Sequence, residues 1–250
     1  MPEGLAAALA QPGLVWLATA ILAAGLVYGF TGFGSALVFL PVAAAILPPE
    51  DAVAAFAVTA LGSLVTMLPR TWLQADRRAA AWMILAAIAA MPAGVWVLTR
   101  MDPVPLRWAI CGVVAVTLAA VAAGWRLRLG SGPGPRLALG GLAGLVGGAT
   151  GLIGPVVILT TLASGDGAGR MRANLASFLT VLNAALLPML ALQGALGPAA
   201  LWTGAVLLPV YMAGNVAGAA LFRPGAERLY RGLAYAVVAA ALVAGLPLSD

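Results

Sequence analysis

Gly29-Phe-Thr-Gly-Phe-Gly-Ser35 and Gly147-Gly-Ala-Thr-Gly-Leu-Ile-Gly154 interrupt two long apolar runs at corresponding places. Gly29, Thr31 and Gly32 fall on Gly148, Thr150 and Gly151 at a single offset of 119 residues, and Pro69 and Gln74 fall on Pro188 and Gln193 at the same offset. Farther along, the register drifts by a few residues, so that Arg107 with Val113-Val114 matches Arg231 with Val237-Val238. The chain therefore reads as a duplicated unit, residues 1–126 and 127–250, with a glycine break in the same long segment of each copy. Interrupted hydrophobic segments at matching places in two halves are the best sequence pointer to a transporter's binding site.

The surrounding composition is that of a membrane protein. Of the 250 residues, 63% are hydrophobic and 8% are charged, against about 25% charged in soluble domains. The chain has no His, which removes the commonest general base and metal ligand. Its one cysteine, Cys111, lies in an apolar run and allows neither an internal disulfide nor a thiolate metal centre. A formal net charge of +5 would suit nucleic acid, but the 13 arginines cluster between apolar runs, where they act as topology signals. Met1-Pro-Glu-Gly lacks the positive n-region of a signal peptide, so the first run is expected to belong to the mature fold.

Eight apolar runs are bounded by charge or by Pro and Gly: 14–47, 52–69, 79–99, 104–125, 137–163, 173–193, 199–222 and 232–248. Six have the length of one helical crossing, while 14–47 would be roughly 51 Å long as a helix and 137–163 roughly 40 Å, against a hydrocarbon core about 30 Å thick. If every run crosses, the arginines divide almost evenly between the two faces. If the two long runs are re-entrant hairpins, one face collects Arg70, Arg77, Arg78, Arg126, Arg128, Arg136, Arg170, Arg172, Arg223, Arg228 and Arg231, and the other keeps Arg100 and Arg107. That bias marks a cytoplasmic face. Glu3, Glu50, Asp51, Asp102 and Asp250 fall on the opposite side. One hairpin and three crossings make an odd unit, so two such units in tandem are inverted with respect to each other. The expectation is an all-α polytopic protein of the cell (inner) membrane: one integral membrane domain of two inverted repeats, each a broken re-entrant hairpin plus three transmembrane helices, with both termini on the non-cytoplasmic side.

A break at Gly32–Gly34 exposes the first N–H groups of the following half-helix, and those groups with the helix dipole favour an anion. Thr31 and Ser35 add hydroxyls. Thr150, with the backbone of Gly151 and Gly154, offers the same in the second copy, and Pro155 suits the first turn of its half-helix. The competing explanation is close packing of small residues between membrane helices. The helix after each break carries a polar stripe: Thr59, Ser63 and Thr66 in the first copy, Asn174, Ser177, Thr180 and Asn183 in the second. Such residues also bond their own helix carbonyls or tie helices together, yet a mid-span amide such as Asn183 is costly unless bonded. Tyr211 and Asn215 add polar groups in the seventh run. No acid, His or Lys lies deep within a run, and Glu50 and Asp51 read as caps of the next helix. No nucleotide loop, metal cluster or nucleophile–base pair is readable, which argues against an enzyme. Thr31, Gly32, Gly34, Ser35, Ser63, Thr150, Gly151, Gly154 and Asn183 are the candidate substrate contacts. A neutral cavity of this kind suits a small oxyanion.

At Gly29-Phe-Thr-Gly-Phe-Gly-Ser-Ala-Leu-Val38 with Leu40-Pro41, and at the block Gly147 to Pro155, the chain resembles the TauE/SafE family of sulfite exporters, also called the toluene-sulfonate uptake permease family. The second block carries Leu152-Ile153 where the family commonly has glycines. The resemblance covers nearly the whole chain and implies transport of sulfite, thiosulfate, sulfoacetate or related organosulfonates across a prokaryotic cell membrane, with no bound cofactor; the residues themselves offer no metal site. Expected partners are a small anion and the lipid bilayer, with no nucleic acid and with a homo-oligomer left open. An anion channel or facilitator and a non-transporting membrane partner are the alternatives to a carrier working by alternating access.

Overall fold

A computed structural model describes residues 3–125, 132–161, 167–221 and 227–247. Arg126, Arg128, Arg223, Asp250, the boundary at 126/127 and the far ends of the runs 137–163, 199–222 and 232–248 lie outside the described residues, as do the side chains of Glu3, Arg77, Arg78, Arg228 and Arg231. All regular structure among the described residues is helical, and five helices are long and apolar enough to cross a membrane. In hydrocarbon only a helix or a closed barrel satisfies every backbone group internally.

After a short α1 (Glu3–Leu9), the first long run divides into α2 (Leu14–Thr31) and α3 (Ser35–Ile46). The second divides into α9 (Pro133–Thr150) and α10 (Gly154–Thr161). The starts of α9 and α10 lie 119 residues after those of α2 and α3, the offset read from the sequence. Each leading helix ends on a glycine in the left-handed region, Gly32 at φ 80° and Gly151 at φ 73°, whose N–H reaches back to Tyr28 O and Gly147 O at 2.8 Å. Glycine adopts that conformation without a Cβ penalty and caps the helix by closing one of its last carbonyls. Gly34, at φ 91°, then opens α3. α3 packs back along α2, and Gly13, just before α2, lies against the side chain of Ile46 at the end of α3.

The first copy continues as α4 (Pro49–Ala60), α5 (Gly62–Thr66), α6 (Leu68–Thr71), α7 (Arg77–Arg100) and α8 (Pro103–Ala122). The second continues as α11 (Ala168–Leu192), α12 (Pro198–Leu221) and α13 (Glu227–Gly245). The sequence predicts one crossing over 52–69; the structure has three short helices there, interrupted at Leu61 and Met67. Pro69 lies in the first turn of α6, where its missing N–H costs no intrahelical bond. Its counterpart Pro188 stays inside the continuous α11. Glu50 and Asp51 occupy the first turn of α4, at the positive end of its dipole; the N-cap position is Pro48, with no side-chain cap.

Most of the packing joins the two copies. α2 lies against α12 and α9 against α7. At the first contact Gly25 and Gly29 meet the backbone of Gly214 and Gly218; at the second Gly144 and Gly148 meet Ala87 and Gly94. A Cβ at Gly29 would sit 2.7 Å from Ala219 N and one at Gly148 would sit 2.9 Å from Val95 N, so these helices touch backbone to backbone, the small-residue packing of membrane interfaces. Gly29 and Gly148 are equivalent, and so are their partners Gly218 and Gly94 at an offset of 124, which is also the offset of Arg107 and Arg231. The drift in register therefore falls between Gln74 and Gly94 in the first copy and between Gln193 and Gly218 in the second.

Candidate functional site

The glycines of the two motifs divide by role. Gly29, Gly147 and Gly148 are packing residues: Gly147 abuts Ile153, and the other two abut neighbouring helices. Gly32, Gly34 and Gly151 take the turns themselves. Gly154 has ordinary φ, and a Cβ there would find its nearest neighbour, Ile158, at 3.5 Å. A side chain at Gly32 would strike Arg172, and one at Gly151 would strike Leu40 and Val53. Val53 and Arg172 occupy the same place in the two copies at the 119-residue offset.

Thr31 and Thr150 hold the last turn before each break in the same manner. The Thr31 hydroxyl donates toward Val27 O at 2.6 Å and Phe33 O at 2.7 Å, and its oxygen accepts from Phe33 N–H at 3.2 Å. The Thr150 hydroxyl donates to Val146 O at 2.7 Å and accepts from Leu152 N–H at 3.3 Å. Both threonines shape the break and are spent on it.

Beyond the breaks, the starts of α3 and α10 come together. Gly34, Ser35 and Ala36 on one side and Ile153, Gly154 and Pro155 on the other are equivalent triplets, and they line one cavity of about 20 Å3. The first N–H groups of a helix have no intrahelical acceptor, so two partially positive helix ends face the same space. Gly151, Leu179 and Asn183 complete much of the wall. Asn183 is buried; its Nδ2 donates to Leu179 O at 2.9 Å, and its Oδ1 has no hydrogen-bond partner among the described residues. A buried acceptor left unpaired costs about 1–3 kcal/mol. The space exceeds the minimum of about 10–15 Å3 for one water.

The structure thus brings Gly34, Ser35, Gly151, Gly154 and Asn183 to one cavity and leaves Thr31, Gly32 and Thr150 outside its wall. Ser63 is buried and donates to Ala60 O at 2.6 Å; it is not part of the cavity wall. The rest of the stripe on α4–α6 bonds its own helix as well: Thr59 to Ala55 O at 2.8 Å and Thr66 to Gly62 O at 2.9 Å. On α11 the stripe ties elements together. Asn174 Oδ1 accepts from Asp76 N–H at 2.8 Å, and Ser177 donates to Thr71 Oγ1 at 3.1 Å.

Two participants were not legible as such. Tyr28 is fully buried; its hydroxyl donates to Ala176 O at 2.9 Å or to Thr180 Oγ1 at 2.8 Å, joining α2 to α11. Tyr211 lies beside it, ring centroids 6.3 Å apart, within reach of Ser35 and Asn215. A lone tyrosine in the middle of an apolar run, one turn before Thr31, was the available signal. Arg172, read from the sequence as a topology residue, donates from Nε to Gly29 O at 3.1 Å, a cation at the negative end of α2. At the edge of the fold, burial pushes the Asp51 carboxyl above its ordinary value. Among the described residues no group of acids or cysteines could hold a metal ion.

The family model for the sulfite exporter TauE/SafE matches residues 17–244. No curated protein and no solved structure matches the chain.

Proposed function

The chain belongs to the sulfite exporter TauE/SafE family, and from that premise we propose that it is a secondary transporter of small sulfur-containing or organic anions, binding them between the two glycine breaks and releasing them by alternating access. The observation that carries this reading is the meeting of two helix N-termini, from equivalent places in the two copies, at one buried cavity beside Asn183. Gly32, Gly34, Gly151 and Gly154 let backbone N–H groups reach the ligand; Ser35 and Asn183 supply side-chain contacts; Thr31 and Thr150 hold the breaks in shape, and Ser63 supports the core beside them. Neutral donors and helix dipoles bind an anion reversibly, as a carrier requires.

The inverted arrangement is part of the proposal. It is supported by Gly13 lying against Ile46, which brings the two ends of the first long run together, and by the reciprocal pairings α2 with α12 and α9 with α7. A cavity of about 20 Å3 admits a water but no sulfur oxyanion, so substrate enters only when the two break regions separate. Rocking of one repeat against the other around a midplane site is the motion such folds use.

The test is exchange. Protein reconstituted in liposomes loaded with sulfite should take up labelled sulfite by counterflow that saturates with concentration, and thiosulfate or sulfoacetate should compete. Non-saturating flux would instead point to a channel. A purified, folded protein that neither exchanges sulfite, thiosulfate or sulfoacetate nor gains thermal stability from them would sink the proposal. A bound ligand at about 100 times its Kd stabilises by roughly 2.7 kcal/mol, a readable shift.

A further inference from the structure

We infer that the substrate path has two chemically different halves: a second anion station, centred on Arg172 with Tyr28, Ser63 and Thr180, lies between the cavity and the face on which α11 begins, while the other half offers no polar counterpart to it. The inference rests on the transporter reading above and deepens it.

A run of polar side chains leads from the cavity toward the start of α11. Ser35, in the cavity wall, is within reach of Tyr211, whose ring lies 6.3 Å from that of Tyr28 between centroids. The Tyr28 hydroxyl meets Thr180 Oγ1 at 2.8 Å and is within reach of Ser63. Asn215, also beside Tyr211, donates from Nδ2 to Thr66 Oγ1 at 3.2 Å. Half-buried Arg172 ends the run. Its guanidinium donates to Gly29 O, lies 3.9 Å from Met67 Sδ, and is near enough to Tyr28 for its charge to be felt there.

The duplication places apolar residues at every corresponding position. At the offset of 119, Tyr28, Ser63, Arg172 and Thr180 fall on Gly147, Leu182, Val53 and Leu61. At the offset of 124 that relates α7 to α12, Tyr211 and Asn215 fall on Ala87 and Met91. The contacts bear out these equivalences. A Cβ at Gly25 would meet Tyr211 O and one at Gly29 would meet Asn215 O; at Gly144 and Gly148 the atoms met are Ala87 O and Met91 O. So α9 packs on α7 by the same close approach as α2 on α12, with no polar side chain at either of those two places. Small-residue packing does not call for Tyr211 or Asn215, and burying polar groups in hydrocarbon is costly. Their presence on one side alone points to a ligand that passes there.

The bonds of this run join the two copies: Tyr28 to Thr180, Arg172 to Gly29 and Asn215 to Thr66. Rocking one copy against the other must break them. The groups then released are donors, namely a guanidinium, hydroxyls and an amide, and buried donors left unmet are costly. An oxyanion accepts on each of its oxygens. Bonds from a guanidinium to an anion are stronger than those to a neutral carbonyl, so an entering anion displaces Gly29 O from Arg172. Sulfite, thiosulfate and organosulfonates all present such oxygens, and the station serves the whole class. In the other half Val53, Leu61, Ala87 and Met91 release no donor on parting. The anion is therefore held by Arg172 only from the face on which α11 begins.

The test uses the whole protein in membrane vesicles of both orientations, with labelled sulfite as probe and the two faces told apart by reaction of a cysteine at position 75. Arg172→Gln keeps an amide donor for Gly29 O and removes the charge. It should raise the half-saturating sulfite concentration about tenfold or more from the face that carries position 75, and by a smaller factor from the other. A residue that merely latched this half shut would do the opposite, because its loss favours the open form and lowers that concentration. The second measurement needs no change at Arg172. Ser63 and Ala87 are both fully buried in this closed form. In a Cys111→Ala background, an impermeant sulfonate-bearing methanethiosulfonate applied to the face that carries position 75 should modify the Ser63→Cys protein and leave the Ala87→Cys protein unmodified. A half-saturating concentration that is unchanged, lower, or raised equally from both faces in folded Arg172→Gln overturns the inference. So does an unreactive Ser63→Cys protein, or equal reaction of the Ser63→Cys and Ala87→Cys proteins, and this measurement decides alone if Arg172→Gln does not fold. All of these outcomes leave the transporter reading standing. Failure of the unsubstituted protein to exchange sulfite, thiosulfate or sulfoacetate overturns that reading and this inference with it.

Discussion

Thr31 and Gly154 sit on either side of the line between shaping the site and forming it. The Thr31 hydroxyl satisfies Phe33 N–H and caps the Val27 or Phe33 carbonyl, so Thr31→Val leaves buried polar backbone unpaired. The expected loss is about 1–3 kcal/mol of stability, seen as a lower unfolding temperature in detergent, with Thr31→Ser close to the unsubstituted protein. Thr150→Val should behave alike, because Leu152 N–H depends on it in the same way. Gly154 has room for a methyl group and no positive φ. Gly154→Ala should therefore keep its unfolding temperature, yet lose sulfite exchange by narrowing the cavity. Gly32→Ala and Gly151→Ala meet both a left-handed backbone and close neighbours and should lower stability by at least about 1 kcal/mol. If Gly154→Ala exchanges sulfite normally, the start of α10 does not line the substrate path.

Among the elements, α2 on α12 and α9 on α7 are the two most extensive contacts between copies. The glycines of α2 and α9 sit against the backbone of α12 and α7, so a larger residue must push a helix away. Gly218→Leu and Gly94→Leu are expected to destabilise by about 1–3 kcal/mol, as overpacking does, and to broaden the monodisperse peak in size-exclusion chromatography. Gly141→Leu, at a position with nothing within 4 Å, is the matched substitution that should change neither. The sequence showed where α2 and α9 break, because Gly32 and Gly151 each terminate an apolar run too long for one helix. It did not show that the crossing expected over 52–69 is interrupted. The threonines and serine of that stripe bond their own carbonyls in α4–α6, and Pro69 restarts a helix where Pro188 interrupts none.

At the scale of the molecule, the topology is open to a direct measurement. Cys111 is buried, so single cysteines placed in a Cys111→Ala background report without interference from it. A cysteine at position 7, exposed on α1, should react with an impermeant reagent from outside the cell, and one at position 75 only from the cytoplasmic side. The reverse pattern would turn the molecule over, and labelling of both positions from one side would end the inverted arrangement. Composition and the two glycine breaks marked this as a helical multi-pass membrane protein, because hydrocarbon forces helices and because a left-handed turn at the end of a helix calls for glycine; the family rests on the match of its model over residues 17–244. Which glycines pack and which turn, that Arg172 reaches Gly29, that Tyr28 bonds α11, and that Asn183 keeps an unpaired acceptor beside two helix ends were decided by the tertiary structure alone. Each is a contact between residues far apart in the chain, and a hydrogen bond or a close backbone approach depends on where the partner lies in space.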